Sequence, residues 1–274
     1  MILMAIAAQA ASLGATNYHV ELPMAAPRSA PAFADEFDGE RVDSAKWAFD
    51  THRNAAGWYN DELQYYAAAR PENSRVEDGA LVIEARRETL DKARFPDWGG
   101  QAYSSAKLVS KEPLGYGFYE IRAQLPCGRG MWPAIWLLPS GEQWPDGGEI
   151  DIMEMVGWDP NVIHATLHTA AFNHAKGTQR GAQTRVQTSC TAFHNYQLDW
   201  QRDTITIGVD GQAHMQVRND QPGAAAAWPF TKPYDLILNL AVGGAWAGQK
   251  GIDDAALPQQ FKVDYVRYWK AGED

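Results

Sequence analysis

The chain has 274 residues, with 24 Lys and Arg against 34 Asp and Glu, for a formal net charge of −10. This acidic balance leaves no basic face to neutralise phosphates, which argues against a nucleic-acid partner and against a polybasic membrane contact. Charged residues at 21% and aromatics at 11% exclude bulk disorder, two Cys exclude a disulfide framework or a four-thiolate zinc site, and 11 Trp exceed what a core alone needs.

Residues 1–13, MILMAIAAQAASL, are apolar and small. They fall short of the roughly 20 residues of a membrane-spanning helix. They read as the apolar region of a secretory signal, with Ala8-Gln9-Ala10 as the cleavage site, although no basic residue precedes them. The alternative is a frayed N-terminal segment. A secreted or periplasmic location is the expectation. Residues 14–31, with Pro23, Pro27 and Pro31, read as a linker. One domain is expected over residues 32–270, with 271–274 as a tail.

Within it, period-2 alternation recurs in short runs. They are Ala80–Ala85, Gly117–Leu125, Val162–Thr169, Tyr196–Trp200, Thr204–Val209 and Phe261–Trp269. Gly, Pro, Asn or Asp bound each run, which predicts an all-β sandwich or barrel. Asp210-Gly211 is a hairpin-turn signal. No segment sustains a 3.6-residue apolar period, so helix content should be low.

The most informative strand is Gly147-Gly-Glu-Ile-Asp-Ile-Met-Glu-Met-Val-Gly157. Alternate residues of a strand share a face, so Glu149 and Asp151 point one way and Ile150 and Ile152 the other. A regular strand would drive Glu154 into the core, where an unpaired charge is costly. A β-bulge at Met153 returns Glu154 to the side of Glu149 and Asp151 and puts Met155 in the core. Three neighbouring carboxylates repel one another, so at neutral pH at least one pKa should rise. Two acids with pKa values pushed apart are what glycosidic cleavage uses. A retaining enzyme needs its pair about 5–5.5 Å apart, which inward-leaning Glu side chains would supply. The competing readings are a solvated acidic face and a calcium site.

Trp132, Ala134 and Trp136 share the face opposite Ile135 and Leu137, so the two indoles suit a sugar-stacking floor or, alternatively, a core. Trp58, Trp144 and Trp246 lie in loops suited to cleft walls. His164, Thr166 and His168 share another strand face. The His spacing would suggest zinc on a helix, but the strand periodicity speaks against it. His168 is expected to hydrogen-bond the acid/base carboxylate. Trp47, Trp200 and Trp269 read as packing, whereas Trp98, Trp158 and Trp228 carry no assignment.

These residues resemble glycoside hydrolase family 16, in its laminarinase-like branch, from about Phe33 to Trp269. The motif Glu149-Ile-Asp-Ile-Met-Glu154 is the most specific. With it stand Gly130-Met-Trp-Pro-Ala-Ile-Trp136, Asp35-Glu-Phe-Asp38, Glu62-Leu-Gln-Tyr-Tyr66, Phe193-His-Asn-Tyr196, Leu238-Asn-Leu-Ala-Val-Gly-Gly244 and Val263-Asp-Tyr-Val-Arg267. The resemblance implies a β-jelly-roll sandwich of two antiparallel sheets with a concave catalytic cleft. It implies retaining endo-hydrolysis of β-1,3-glucan, with Glu149 as nucleophile, Asp151 as its assistant and Glu154 as acid/base. The sugar contacts it implies are Asn60, Trp132, Trp136, His168, Trp144 and Trp246. No cofactor is needed for catalysis. A structural Ca2+ is implied, held by the backbone carbonyls of Glu36 and Gly79 and by Asp264.

Lys107 stands where relatives often have Arg, and Ala245 replaces a commonly polar residue. The alternatives are mixed-linkage β-1,3-1,4-glucan or another family-16 polysaccharide such as a galactan, and a glucan-binding protein that does not cut. All three acids are present, which disfavours binding alone. A monomer is expected. Cys127 and Cys190 either form one disulfide in an oxidising compartment or stay two buried thiols.

Overall fold

A computed structural model describes residues 18–272. The signal-like segment 1–13, the first part of the expected linker and the last two residues of the tail lie outside it. Among the described residues the first nine strands are β1 (Leu22–Pro23), β2 (Phe33–Asp35), β3 (Trp47–Phe49), β4 (Gln64–Tyr66), β5 (Ser74–Glu77), β6 (Ala80–Arg87), β7 (Tyr103–Ser105), β8 (Lys107–Ser110) and β9 (Gly117–Gln124). The rest are β10 (Met131–Leu138), β11 (Glu149–Glu154), β12 (Val162–His168), β13 (Arg180–Arg185), β14 (His194–Gln201), β15 (Thr204–Val209), β16 (Gln212–Arg218), β17 (Asp235–Val242) and β18 (Gln259–Lys270). One four-residue α-helix, Gly244–Ala247, and a few 3-10 turns complete the described elements, so the expected poverty in helix is observed.

The strands form two sheets, and the expected jelly-roll sandwich is present. The concave sheet runs β13-β12-β11-β10-β17-β8-β3, and the convex sheet runs β1-β16-β15-β14-β9-β18-β6-β7-β4. Strand β2 also pairs with β18, and β5 with β6. The alternation read in the sequence becomes the core between them. Ile135, Leu137, Ile150, Ile152 and Leu238 of the concave sheet join Tyr119, Ile121, Leu198, Ile207 and Val263 of the convex sheet in one fully buried cluster. Each such aliphatic side chain contributes about 1.5–3 kcal/mol by leaving water. The predicted hairpin turn is present at Asp210-Gly211, where both residues have positive φ, at 51° and 80°.

The stretch expected as a linker is structured over its described part. The Val20 N–H donates to the His214 carbonyl, the Gln216 N–H to the Tyr18 carbonyl and the Met24 N–H to the Gly211 carbonyl. Met24 packs with Phe118, Ala213 and Trp269 on the outside of the convex sheet. Trp269 donates its indole N–H to the Ser29 carbonyl at 2.8 Å. The Pro-rich composition signalled only that the chain is not helical. What holds it is the open edge of β16, whose backbone groups need partners.

Cys127 and Cys190 are joined in a disulfide, with Cα atoms 5.7 Å apart. It ties the exit of β9 to the approach of β14.

Candidate active site

The bulge expected in β11 is present, and it sets the site. Against β12, Asp151 faces Thr166 and Glu154 faces His164, so Ile152 and Met153 together oppose Ala165 alone. Against β10, Asp151 faces Trp136 and Met153 faces Ile135, so Ile152 is the residue passed over on that side. The irregularity therefore spans Ile152–Met153 rather than sitting on Met153 alone. Both side chains remain fully buried beside Ile150 and Met155. Glu149, Asp151 and Glu154 consequently share the concave face.

Asp151 is only 3% exposed. Burial, with the Glu149 and Glu154 charges beside it, raises its pKa well above the usual carboxylate range. Protonated, it supplies a hydrogen bond to Glu149, which favours the ionised form of that neighbour. Burial pushes Glu149 up to about 7, against the opposing effects of the Trp144 and Asp151 hydrogen bonds and the Lys107 charge. Glu154 is pushed up to about 8 by burial and by the Glu149 charge. Burial thus raises both glutamates, while the Trp144 and Asp151 hydrogen bonds favour the charged form of Glu149. Trp144 Nε1 donates to Glu149 Oε2 at 2.8 Å, and Trp132 Nε1 donates to Glu154 Oε1 at 2.9 Å.

His168 differs from its expected place. Its Nε2 lies 3.4 Å from Asp151 Oδ2 and 3.9 Å from Glu149 Oε1. The antiparallel register pairs His168 with Glu149 and brings His164 opposite Glu154. So His168 serves the Glu149 end of the strand, and His164 is the imidazole beside Glu154. Burial lowers the pKa of His168 to about 3 and of His164 to about 4, which keeps both rings neutral.

A family model described as glycosyl hydrolases family 16 matches residues 61–267, which include this strand and its neighbours. The chain belongs to glycosyl hydrolase family 16. A β-glucanase of Rhodothermus marinus is 47% identical over 257 residues, covering 89% of this chain and 86% of its own. The crystal structure of SCLam, a non-specific endo-β-1,3(4)-glucanase of the same family, superposes with a TM-score of 0.88 at 52% identity, covering 92% of this chain and 95% of that one. The laminarinase structure from Rhodothermus marinus gives a TM-score of 0.81 at 47% identity, over 88% and 97% of the two chains.

The rest of the family-16 cleft is largely aromatic. Trp132 and Trp136 are half-buried on the cleft face of β10. Trp136 Nε1 donates to Asn239 Oδ1 at 2.7 Å, and Asn239 in turn donates to the Tyr66 hydroxyl. Trp246, on the short helix, meets Trp132 edge-on at 5.3 Å and His164 at 4.9 Å. Trp144 is exposed at the Glu149 end. Trp58 is not a cleft wall: it is 6% exposed, donates to Asn54 and packs on Tyr66. The Lys107 ammonium, paired with Asp50 at 2.9 Å, sits about equally over the Trp58 and Trp136 rings, at 5.0 and 5.1 Å. Asn60 is exposed with φ of 56°, a left-handed backbone for a non-glycine residue.

Two groups carry no role from the sequence reading. Glu62 is a half-buried fourth carboxylate, bonded by Gln64 at 2.9 Å, whose charge acts on Glu154; its own pKa is raised, chiefly by desolvation. Its place in Glu62-Leu-Gln-Tyr-Tyr66 was visible, but its direction was not. His174 lies in the β12–β13 loop and stacks on Trp144 with ring centroids 4.8 Å apart. A loop histidine without periodicity offers no sequence signal of such a contact.

The expected calcium residues converge on the convex sheet. Asp35 of β2 and Leu81 of β6 pair with Val266 and Val263 of β18, which brings Glu36 and Gly79 to one stretch of that strand. Asp264 is the passed-over residue where β18 shifts register on β9. The carboxylate of Asp264 contacts Arg122, and Glu36 is held by both arms of Arg267 at 2.8 Å.

Proposed function

We propose that the protein hydrolyses β-1,3-glucan internally, with retention of configuration. The observation that carries this is the bulged strand, which gathers Glu149, Asp151 and Glu154 on the cleft face with all three pKa values raised. Glu149 attacks the anomeric carbon and forms a C–O bond as the glycosidic bond breaks. Glu154 gives its proton to the departing oxygen. The Glu154 carboxylate then takes a proton from water, which attacks the same carbon and frees Glu149. The protonated Asp151 and the Trp144 N–H both donate to Glu149, holding its lone pair oriented. Trp132, Trp136 and Trp246 offer ring faces and edges to the sugars, Asn60 and His168 polar contacts, and Trp144 its exposed rim.

The test is a reducing-sugar assay on laminarin, mixed-linkage β-glucan and agar, with the first-formed anomer read by NMR. Laminarin cut to β-anomeric oligosaccharides is expected. No release from laminarin, or an α-anomeric first product, overturns the proposal. Likeness to a non-specific endo-β-1,3(4)-glucanase supports cleavage of the mixed-linkage glucan as a second activity.

We also infer secretion or export to the periplasm, supported by the Cys127–Cys190 disulfide, which persists in oxidising compartments. Native protein found only in the cytoplasmic fraction refutes it. The exposed large apolar residues, Leu22, Tyr59, Leu63 and Trp144, form no broad face, which supports a monomer; light scattering at assay concentration checks this. For a structural Ca2+, the proposed donors are all oxygens, as a hard cation prefers. The Arg267 pairing leaves the carbonyl of Glu36 for that part, while Arg122 competes for Asp264. A melting temperature unchanged by EDTA and by added Ca2+ removes the ion from the account.

A further inference from the structure

The Trp144 loop leaves β10 at Leu138 and enters β11 at Glu149. It is anchored by Ser140 on Asp235 and by Glu142 on Lys232. A third anchor follows the tryptophan, where the Tyr234 hydroxyl donates to the Gly147 carbonyl. The indole is 39% exposed, yet its N–H must point at Glu149 Oε2. Beyond that hydrogen bond, its closest ring contact is His174, centroids 4.8 Å apart and planes inclined by 30°.

His174 is itself firmly placed. It opens a 3-10 turn, His174–Lys176, capped by Asn173, whose side chain accepts from the Lys176 N–H. The Asn173 amide donates back to the Thr169 carbonyl at 3.0 Å, and Asn173 is buried. The other neighbour of His174 is His168, edge-on at 5.0 Å, and His168 also meets Trp144 at 6.0 Å. The three rings therefore close on one another beside Glu149 and Asp151. His174 is exposed on its outer side, and partial desolvation against its ring neighbours lowers its pKa.

We propose that His174 is a positioning residue: its ring backs the Trp144 indole so that the indole N–H stays on the Glu149 carboxylate and keeps that nucleophile ionised. This deepens the proposed function and rests on Glu149 being the nucleophile. The charged or titratable groups facing Glu149 are Asp151 and Glu154 on its own strand, His168 on β12 and Lys107 on β8. All of them remain when His174 is replaced. His174 also packs on His168 and lowers the pKa of that ring, so a change in Glu149 after the replacement is assigned to the indole only where Trp144→Phe gives the same change.

The experiment is a 13C titration of the Glu149 carboxyl by NMR, alongside pH profiles of kcat/KM on laminarin, for four proteins besides wild type: His174→Ala, His174→Gln, His174→Phe and Trp144→Phe. Losing a hydrogen bond to the charged form raises a carboxyl pKa. His174→Ala and His174→Gln should both move the Glu149 titration and the acid limb upward, in the direction of Trp144→Phe. They should also lower kcat/KM about 2- to 12-fold, the worth of one aromatic pair. His174→Phe, which keeps a ring, should restore both readings. A Glu149 titration unmoved in His174→Ala while it moves in Trp144→Phe overturns the proposal. So does rescue by Gln but not by Phe. The NMR reading needs no turnover, so an enzyme inert on laminarin would strike the proposed substrate and leave this result standing.

Discussion

The two outer faces of the sandwich partner their acids in different ways. On the convex sheet, Glu84 is contacted by Arg75, Arg86 and Gln260, and Glu120 accepts from Gln197 at 2.7 Å and Tyr265 at 2.9 Å. Arg122 meets Asp264, and Arg267 grips Glu36. On the concave sheet, Glu149, Asp151 and Glu154 have no Lys or Arg in ion-pair contact among the described residues; the nearby Lys107 pairs with Asp50. Their partners are indole N–H groups, one another and a neutral imidazole. On the convex sheet the acids are held by several Arg, Gln or Tyr donors. On the concave sheet they crowd one another with no cation in contact and their pKa values are raised, and such perturbed groups are what acid/base chemistry draws on.

The sharpest way to break this contrast is to neutralise one acid on each face. Glu149→Gln and Glu154→Gln should each lower kcat on laminarin by at least about 10²–10⁴-fold, with no loss of melting temperature at the pH of the assay optimum. Wild-type-like rates in either variant would refute the assignment. Glu84→Ala should do the reverse. It removes the acceptor shared by Arg75, Arg86 and Gln260, so it should lose about 1–3 kcal/mol in urea unfolding while kcat stays within twofold. A stable but inactive Glu84→Ala would erase the distinction between the faces.

A subtler effect is in the pH dependence of stability. Glu154 has a folded pKa of about 8 against an ordinary 4.5, so the folded protein keeps a proton that the unfolded chain gives up. Its contribution is full below about 4.5 and declines as pH rises through about 8. Glu154→Gln removes that decline. It should gain several kcal/mol over wild type near pH 8 and almost nothing near pH 4.5. A gain equal at both values would mean that the acid is not held protonated. The smallest effect concerns His214, buried in β16 with neither ring nitrogen hydrogen-bonded. Burial lowers its pKa to about 4, so its contribution is present above the ordinary 6.5 and is lost as pH falls toward 4. His214→Leu should shift acid unfolding to lower pH, by a few tenths of a unit if other groups dominate; no shift would mean they dominate entirely.

Much of this site could be read from one segment, because strand alternation is a strict rule and Glu154 violated it. Only an irregularity could satisfy both the core and the acids. The same rule placed Trp132 and Trp136. It failed where position depends on a partner far away in the chain. His168 and His164 were correctly put on one face, but which acid each meets depends on the register of β12 against β11. Trp58 sits in a loop-like sequence yet is buried, because Asn54, Tyr66 and Lys107 converge on it from three segments. Residues 18–31 looked like a linker because Pro and Ala say nothing of an edge strand waiting elsewhere. His174 reaches Trp144 from thirty residues away, across two strands.

The bond between Cys127 and Cys190 spans a separation of 63 residues. Strands β10 to β13 all lie between its ends, so three tryptophan-, carboxylate- and histidine-bearing strands hang from the convex sheet as a covalently closed ring. A protease that nicks any loop inside that ring leaves the two pieces tethered, and the cleft strands can be cut without being shed.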